Sequence, residues 1–261
     1  MKQKIKFSKY QGAGNDFILI DNRNNLFDIN NVDLIQKMCD RRFGIGADGL
    51  MALQYTKNFD FEMIYCNADG REGTMCGNGG RCIVAFARDL GIIDKKTVFL
   101  AVDGEHIAHI EDNQVELGMI EVHEIQHDGE AYVLNTGSPH YVQLTDNLRS
   151  YNVYQEGYKI RNNDTYKAEG INVNFVEKEG EGYFVRTFER GVEDETLACG
   201  TGATAAAMAL AIHENKTGNI EIPIRVLGGQ LSIAFHREGN NFTEVQLKGP
   251  AEFVFEGEYL G

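Results

Sequence analysis

The sequence predicts an α+β protein in which antiparallel sheets wrap central helices, and three observations carry that prediction. Short apolar and polar alternations recur along the chain between Gly, Asn and Asp turns. Helical spacing is clear in only three places. The pattern also repeats, because a shift of 123 residues lays the second half of the chain on the first. Many strands, few helices and glycine-rich approaches to those helices suit sheets closed around helices.

In chain order, the run FILID gives a strand at Phe17–Asp21, and spaced apolar residues give a helix over Asn31–Cys39. A strand follows at Phe61–Tyr65 and a helix at Cys82–Leu90. Alternation then marks strands at Val98–Val102, Val115–Leu117, Tyr141–Leu144, Ile171–Val176 and Phe184–Phe188. The Ala-rich run Thr204–His213 is polar only at its end, which predicts a buried helix. Strands at Ile220–Val226 and Glu244–Leu247 complete the reading.

Composition narrows the function. The 261 residues are 43% apolar and 25% charged, with 29 glycines and 3 prolines, which excludes disorder and collagen-like repeats. No apolar run approaches the roughly 20 residues of a membrane helix. The start MKQKIKFSKYQGAG has no apolar signal core, so a soluble cytoplasmic protein is expected. A net charge of −14 without basic tracts disfavours nucleic acid and anionic membranes as partners. Five cysteines with no Cys-x-x-Cys match neither a disulfide scaffold nor a zinc ribbon. Reduced thiols, most of them packed as small hydrophobes, are expected.

The 123-residue shift superposes Gly14 on Gly137, Phe61 on Phe184, Glu72 on Glu195, Cys76 on Cys199, Gly77 on Gly200 and Gly79 on Gly202, without a gap. Two further residues of shift bring Gly104 onto Gly229. The reading is a duplication. Its halves are residues 1–120, carrying Cys76, and 131–250, carrying Cys199, joined by a linker at 121–130 and followed by a short tail at 251–261. Chance similarity of two glycine-rich helix starts is the alternative, and one offset spanning about 65 residues argues against it.

Each half runs from a strand through a turn into Cys-Gly-x-Gly: Cys76-Gly77-Asn78-Gly79 and Cys199-Gly200-Thr201-Gly202. A helix N-terminus offers unpaired N–H groups and about half a positive charge, and glycine lets a ligand approach closely. Such a site binds carboxylate and draws a neighbouring thiol toward thiolate. Two thiols on opposite sides of one carbon are what inversion of a stereocentre requires. One removes the α-proton and the other supplies a proton to the opposite face.

The segments YQGAGNDFILID, RRFGIGADGL, NADGREGTMCGNGGRC, GSPHYV, INVNF and FERGVEDETLACGTGA resemble, in order and over nearly the whole chain, the pyridoxal-independent diaminopimelate epimerases. That resemblance implies two pseudo-symmetric domains, each a mostly antiparallel mixed sheet around a central helix. It also implies interconversion of LL- and meso-diaminopimelate in lysine and peptidoglycan precursor synthesis by a homodimer. No metal, nucleotide or pyridoxal cofactor is implied.

Carried over position by position, the resemblance makes Cys76 the base toward the LL substrate and Cys199 the acid on the other face. His140 and Glu189 match the pair that tunes the thiols. Asn15, Asn67, Asn78, Asn172, Glu189 and Arg190 match substrate-binding positions, and Gly77, Gly200 and Thr201 the anion-binding helix starts. Independently of the family, Arg190 suits a distal carboxylate through its bidentate fork. Two positions depart from the pattern: Ser138 stands where the family often has Asn, and Gly49 where some members have Gln. The loop Gly191–Glu195 is about one residue longer than the usual form.

Taken singly these residues have plainer uses. Arg190 with Glu189 also reads as a solvated ion pair, His140 as a structural histidine, and the asparagines as turn or cap residues. Gly44-Ile45-Gly46-Ala47-Asp48-Gly49 satisfies G-x-G-x-x-G, but no strand precedes it and no long helix follows, so nucleotide binding is not expected there. Two rival functions stand beside the first. One is a racemase of proline or hydroxyproline built on the same two-cysteine plan, and the other a non-enzymatic ligand-binding or redox-sensing protein using the same pockets.

Overall fold

In the computed structural model, which describes residues 4–73 and 75–261, the first half of the chain runs β1 (Lys4–Gly12), β2 (Asn15–Asp21), α1 (Val32–Cys39), β3 (Gly49–Gln54), β4 (Glu62–Asn67), α2 (Gly77–Asp89), β5 (Lys96–Ala101), β6 (Gly104–Glu111) and β7 (Gln114–Gly118). The second half runs β8 (Ile125–Asp128), β9 (Ala131–Asn135), β10 (Pro139–Leu144), α3 (Val153–Arg161), β11 (Asn172–Glu179), β12 (Gly182–Glu189), β13 (Asp194–Thr196), α4 (Gly200–His213), β14 (Gly218–Val226), β15 (Gly229–Glu238) and β16 (Asn241–Pro250). A last strand, β17 (Glu252–Leu260), returns to pair with β1. Two compact units result: Met1–Leu117 with Pro250–Gly261, and Gly118–Gly249.

The architecture is the expected α+β mixture, and each unit repeats the same pairing scheme. β2 and β3 are parallel with Phe17 opposite Gly49, and β10 and β11 are parallel with His140 opposite Asn172, 123 residues on in both partners. β4–β5 and β12–β14 are likewise parallel, whereas β1–β2, β3–β4, β5–β6 and β6–β7 against β9–β10, β11–β12, β14–β15 and β15–β16 are antiparallel. Residues 251–261, expected as a tail, instead supply β17, and the expected linker at 121–130 contains β8. Both strands do one job. β17 covers the outer edge of β1 as β8 covers that of β9, pairing rows of N–H and C=O groups that would otherwise stay open.

The central helices begin earlier than the apolar spacing predicts. α2 starts at Gly77 rather than Cys82 and α4 at Gly200 rather than Thr204, because their first turns are glycine-rich and carry little side-chain pattern. α2 is buried without a break from Gly77 to Ala87, and α4 from Gly202 to Ala211. Such helices lie inside their units. α1 and α3 are amphipathic outer helices, opened by Asn31 and Asn152, whose side chains accept from the N–H groups of Leu34 (3.2 Å) and Gln155 (3.1 Å). α3 has no counterpart in the sequence reading. Its Gly157 breaks the helical pattern, and a Cβ there would lie 2.3 Å from Cβ of Phe188 on β12.

One apolar cluster in the first unit joins Phe7, Ile18, Ile20, Ile35, Met38 and Leu50, with Cys39 and Cys66 among its members. Burial pushes the Cys39 thiol up to about 12, Cys66 up to about 11 and the fully buried Cys82 up to about 12. These three sulfurs pack as small hydrophobes. In the second unit, Leu148, Val153, Val173, Phe175, Phe184 and Phe188 form the corresponding cluster under α3.

Candidate active site

Cys76 and Cys199 occupy equivalent places with almost the same backbone. Each is the residue before its helix, at φ −114° and ψ 119° for Cys76 and φ −117° and ψ 110° for Cys199, and neither side chain caps the helix. The first in-helix bonds are donated by Gly80 to the Cys76 carbonyl (2.7 Å) and by Ala203 to the Cys199 carbonyl (2.9 Å). The N–H groups of Gly77, Asn78 and Gly79, and of Gly200, Thr201 and Gly202, therefore precede the ladder. Each set is suited to a carboxylate beside a sulfur.

Around Cys76 the sequence-expected residues Asn15, Gly77 and Asn78 come together. The Cys76 thiol donates to Oδ1 of Asn15 at 3.7 Å, and Nδ2 of Asn78 donates to the same oxygen at 3.3 Å. The Asn15 amide is held in that sense from behind, since its Nδ2 donates to Oδ2 of Asp48. Asp48 is fixed in turn by Arg41, which donates to Asp48 at 2.7 Å and to Asp16 at 2.6 Å, while Lys9 lies 2.6 Å from Asp16. Burial pushes the Asp16 carboxyl up, but Arg41 and Lys9 overcome it and hold it below its ordinary value. The G-x-G-x-x-G segment thus has structural work here. A Cβ on Gly44 would lie 2.0 Å from the Lys37 carbonyl, and Asp48 serves Asn15.

Arg81, one turn into α2, was not foreseen. It is fully buried, and its guanidinium donates to Oδ1 of Asn78 (2.9 Å), the Gly77 carbonyl (3.2 Å) and the Pro250 carbonyl (3.3 Å). The first two bonds brace the helix start. A cation inside an otherwise apolar helical run was the available signal. Asn67 ends β4, exposed, with its side chain beside Gly73 in the turn leading toward Cys76. Gly49 is explained by space: a Cβ would meet Tyr65 at 2.5 Å and the Cys66 carbonyl at 2.6 Å, leaving no room for glutamine.

Around Cys199 the network is denser. Oγ1 of Thr201 lies 3.5 Å from the Cys199 sulfur and 3.3 Å from Oγ of Ser138. Ser138 also contacts Nε2 of His140 (2.9 Å) and accepts from Nδ2 of Asn172 (3.1 Å). Nδ2 of Asn174 lies 3.1 Å from Nδ1 of His140 and donates to the Tyr141 carbonyl at 3.0 Å. Burial first, with the nearby Arg190 charge second, pushes the His140 imidazole down to about 3, so it is neutral near pH 7. Both ring nitrogens are engaged, which leaves none for a direct bond to Glu189.

Glu189 ends β12 and accepts from Oγ1 of Thr196 at 2.9 Å in the β12–β13 hairpin. Residues 190–193 close that hairpin, and Asp194 and Glu195, expected in the loop, belong to β13. Glu193 accepts from Arg161 (3.2 Å) and from the Gly191 N–H (3.1 Å). Arg190 is exposed; its backbone N–H donates to Oδ1 of Asn172 (2.9 Å) and its Nη1 to the Glu169 carbonyl (3.2 Å). Asn172 is thereby committed to Ser138, the Pro139 carbonyl and Arg190. Ser138 and Asn174 were absent from the sequence-derived site. Their signals were slight: a hydroxyl at a departure from the family pattern, and a second Asn on the Asn172 face of a strand.

Among the described residues, no group of three or more His, Cys, Asp or Glu side chains is placed to hold a metal ion. Nor is any helix among them long and apolar enough to cross a membrane.

A family model described as diaminopimelate epimerase matches residues 7–123 and 132–254. The chain is 55% identical over 255 residues to the diaminopimelate epimerase of Flavobacterium psychrophilum, covering 97% of this chain and 99% of that protein. It is 42% identical over 256 residues to the diaminopimelate epimerase of Chlorobaculum tepidum, covering 94% and 98%. Among solved structures, a Bacillus anthracis phenazine biosynthesis protein of the PhzF family superposes with TM-score 0.80 at 13% identity, covering 99% of this chain and 100% of that one. A probable proline racemase from Agrobacterium radiobacter superposes with TM-score 0.71 at 14% identity, covering 98% and 92%. At such identities these two establish a shared fold alone.

Proposed function

The chain belongs to the diaminopimelate epimerase family, and from that premise we propose that it interconverts LL- and meso-2,6-diaminopimelate through two thiols and no cofactor. In the LL to meso direction, Cys76 as thiolate takes the α-proton, and Cys199 as thiol delivers its proton to the opposite face of the same carbon. Cys76 leaves as thiol and Cys199 as thiolate. Charge and protons balance, and the reverse reaction starts from the state so formed.

The observation that carries this reading is the matched setting of the two cysteines, each before an uncapped glycine helix start with nearly the same φ and ψ. When the α-proton leaves, negative charge spreads from the α-carbon into the adjoining carboxylate. The N–H groups at the α2 and α4 starts are suited to stabilise that developing charge, a contribution worth about 3 kcal/mol per donor in comparable oxyanion sites. Asn15, Asn67, Asn78, Asn172 and Thr201 orient the reacting end, while the exposed guanidinium of Arg190 receives the distal carboxylate. His140 and Glu189 tune the thiols, and Glu189 also holds a substrate-binding position.

The reaction belongs to lysine and peptidoglycan precursor synthesis, and we propose that the protein carries it out in the cytoplasm as a homodimer. The charge of −14 supports a small-molecule partner over nucleic acid or a membrane surface. Replacement of either Cys76 or Cys199 by Ala tests the mechanism. Each variant should lose epimerisation of diaminopimelate by at least about 10²-fold, the lower range for a positioned acid or base. Full activity in either variant, or turnover of proline with none of diaminopimelate, would refute it.

A further inference from the structure

The contacts around Cys199 form a chain whose direction can be derived. It begins at Asn174, whose Nδ2 donates to the Tyr141 carbonyl (3.0 Å) while its Oδ1 accepts from the Thr187 hydroxyl (2.9 Å). A carbonyl only accepts, so the amide orientation is fixed. The second Nδ2 hydrogen then points at Nδ1 of His140, 3.1 Å away, and that nitrogen must present its lone pair. The ring hydrogen consequently sits on Nε2 and is donated to Oγ of Ser138 at 2.9 Å.

Ser138 receives a second donor. Nδ2 of Asn172 reaches its oxygen at 3.1 Å, and that amide too is oriented by backbone, donating to the Pro139 carbonyl (3.1 Å) and accepting from the Arg190 N–H (2.9 Å). With both lone pairs of Ser138 occupied, its one hydrogen goes to Oγ1 of Thr201 at 3.3 Å. The Thr201 hydrogen follows the remaining contact, to the Cys199 sulfur at 3.5 Å.

We propose that Ser138 and Thr201 form a one-way hydrogen-bond relay, given its direction by Asn174 and His140, that delivers an O–H to the Cys199 sulfur and favours its thiolate. Ser138, His140 and Asn174 are positioning residues acting through Thr201. The catalytic consequence of the relay rests on the two-thiol reading, because it eases the states in which Cys199 carries the negative charge. The relay itself does not need that reading. The side of Cys76 has the opposite sense, where the contact at 3.7 Å is the carbonyl oxygen of Asn15, able only to accept.

The test is the pH dependence of iodoacetamide alkylation at Cys199, followed by peptide mass spectrometry in the full-length protein without substrate. Thr201→Val should raise the alkylation midpoint by about one pH unit, a tenfold loss of thiolate at a given pH. Ser138→Ala should raise it by a smaller amount, and Thr201→Ser should restore it. An unchanged midpoint in both Thr201→Val and Ser138→Ala would overturn the relay. Independently of any variant, ¹⁵N spectra of His140 should report a neutral ring with hydrogen on Nε2 between pH 6 and 8, whereas hydrogen on Nδ1 would reverse the chain and overturn it. Neither readout involves turnover, so failure of the relay is distinguishable from failure of the two-thiol mechanism, which appears in the Cys→Ala variants.

Discussion

The side-chain oxygen of Asn174 stands so close to the backbone of Gly202 that a Cβ on that glycine would lie 2.3 Å from it. The same Cβ would come within 3.2 Å of both Cβ and Sγ of Cys199. The second glycine of the Cys-Gly-x-Gly start in α4 therefore admits the amide that orients His140. At the equivalent Gly79 the nearest atoms are the tip of the Met51 side chain, at 3.2 Å. One neighbour is pinned by three hydrogen bonds and the other is flexible.

Gly202→Ala should accordingly destabilise the protein by about 1–3 kcal/mol, in the range of core overpacking, and depress activity by displacing Asn174. Gly79→Ala should cost less, because Met51 can yield. Urea unfolding of both variants checks the order, and equal losses would contradict the role given to Asn174.

Burial of neutral His140 links stability to pH. Its imidazole lies at about 3 in the folded protein, below the ordinary value near 6.5, so between those limits the unfolded chain binds a proton that the folded chain does not. Stability should thus fall as pH falls below about 6.5, by about 2 kcal/mol at pH 5 from this group alone. Substitution His140→Asn should flatten that part of the profile, measured as the urea midpoint at pH 7 and pH 5. A slope unaltered by the substitution would remove His140 as its source.

Arg186 and Glu195 form a two-pronged pair, both bonds 2.6 Å, and Arg186 also donates to the Leu148 (2.7 Å) and Tyr151 (3.0 Å) carbonyls. The pair ties the hairpin that leads into Cys199 to the loop before α3. Glu195→Gln should cost about 1.5–3 kcal/mol, the scale for a charged hydrogen bond whose partner stays half-buried. The same substitution at Glu193, whose contact with Arg161 is a single bond of 3.2 Å, should cost less. Thermal melts of the two variants decide this.

Much of the fold was legible because duplication writes it twice. Phe17 opposite Gly49 and His140 opposite Asn172 express in space the offset that aligns Cys76 with Cys199. What escaped the sequence was decided by tertiary context. The strands β8 and β17 lie in polar or mixed segments that become strands because an edge needs a partner. In the site, the cysteines and their glycines were visible from spacing, and most of the asparagines only through the family pattern. Arg81, Ser138 and Asn174 each act through a hydrogen bond to a partner distant in the chain, Pro250, Thr201 and Thr187 respectively, which no local pattern encodes.

Service of the two faces of one carbon by separate thiols is decided by early-time turnover of LL-diaminopimelate in D₂O with the wild-type protein. Each meso product molecule should carry one solvent deuterium at the inverted α-carbon while unreacted LL substrate carries none, because the donor sulfur exchanges with solvent and the acceptor sulfur keeps the substrate's proton. Product that retains the substrate's own proton at that carbon from the first turnovers would place both faces under a single base and rule out the two-thiol mechanism.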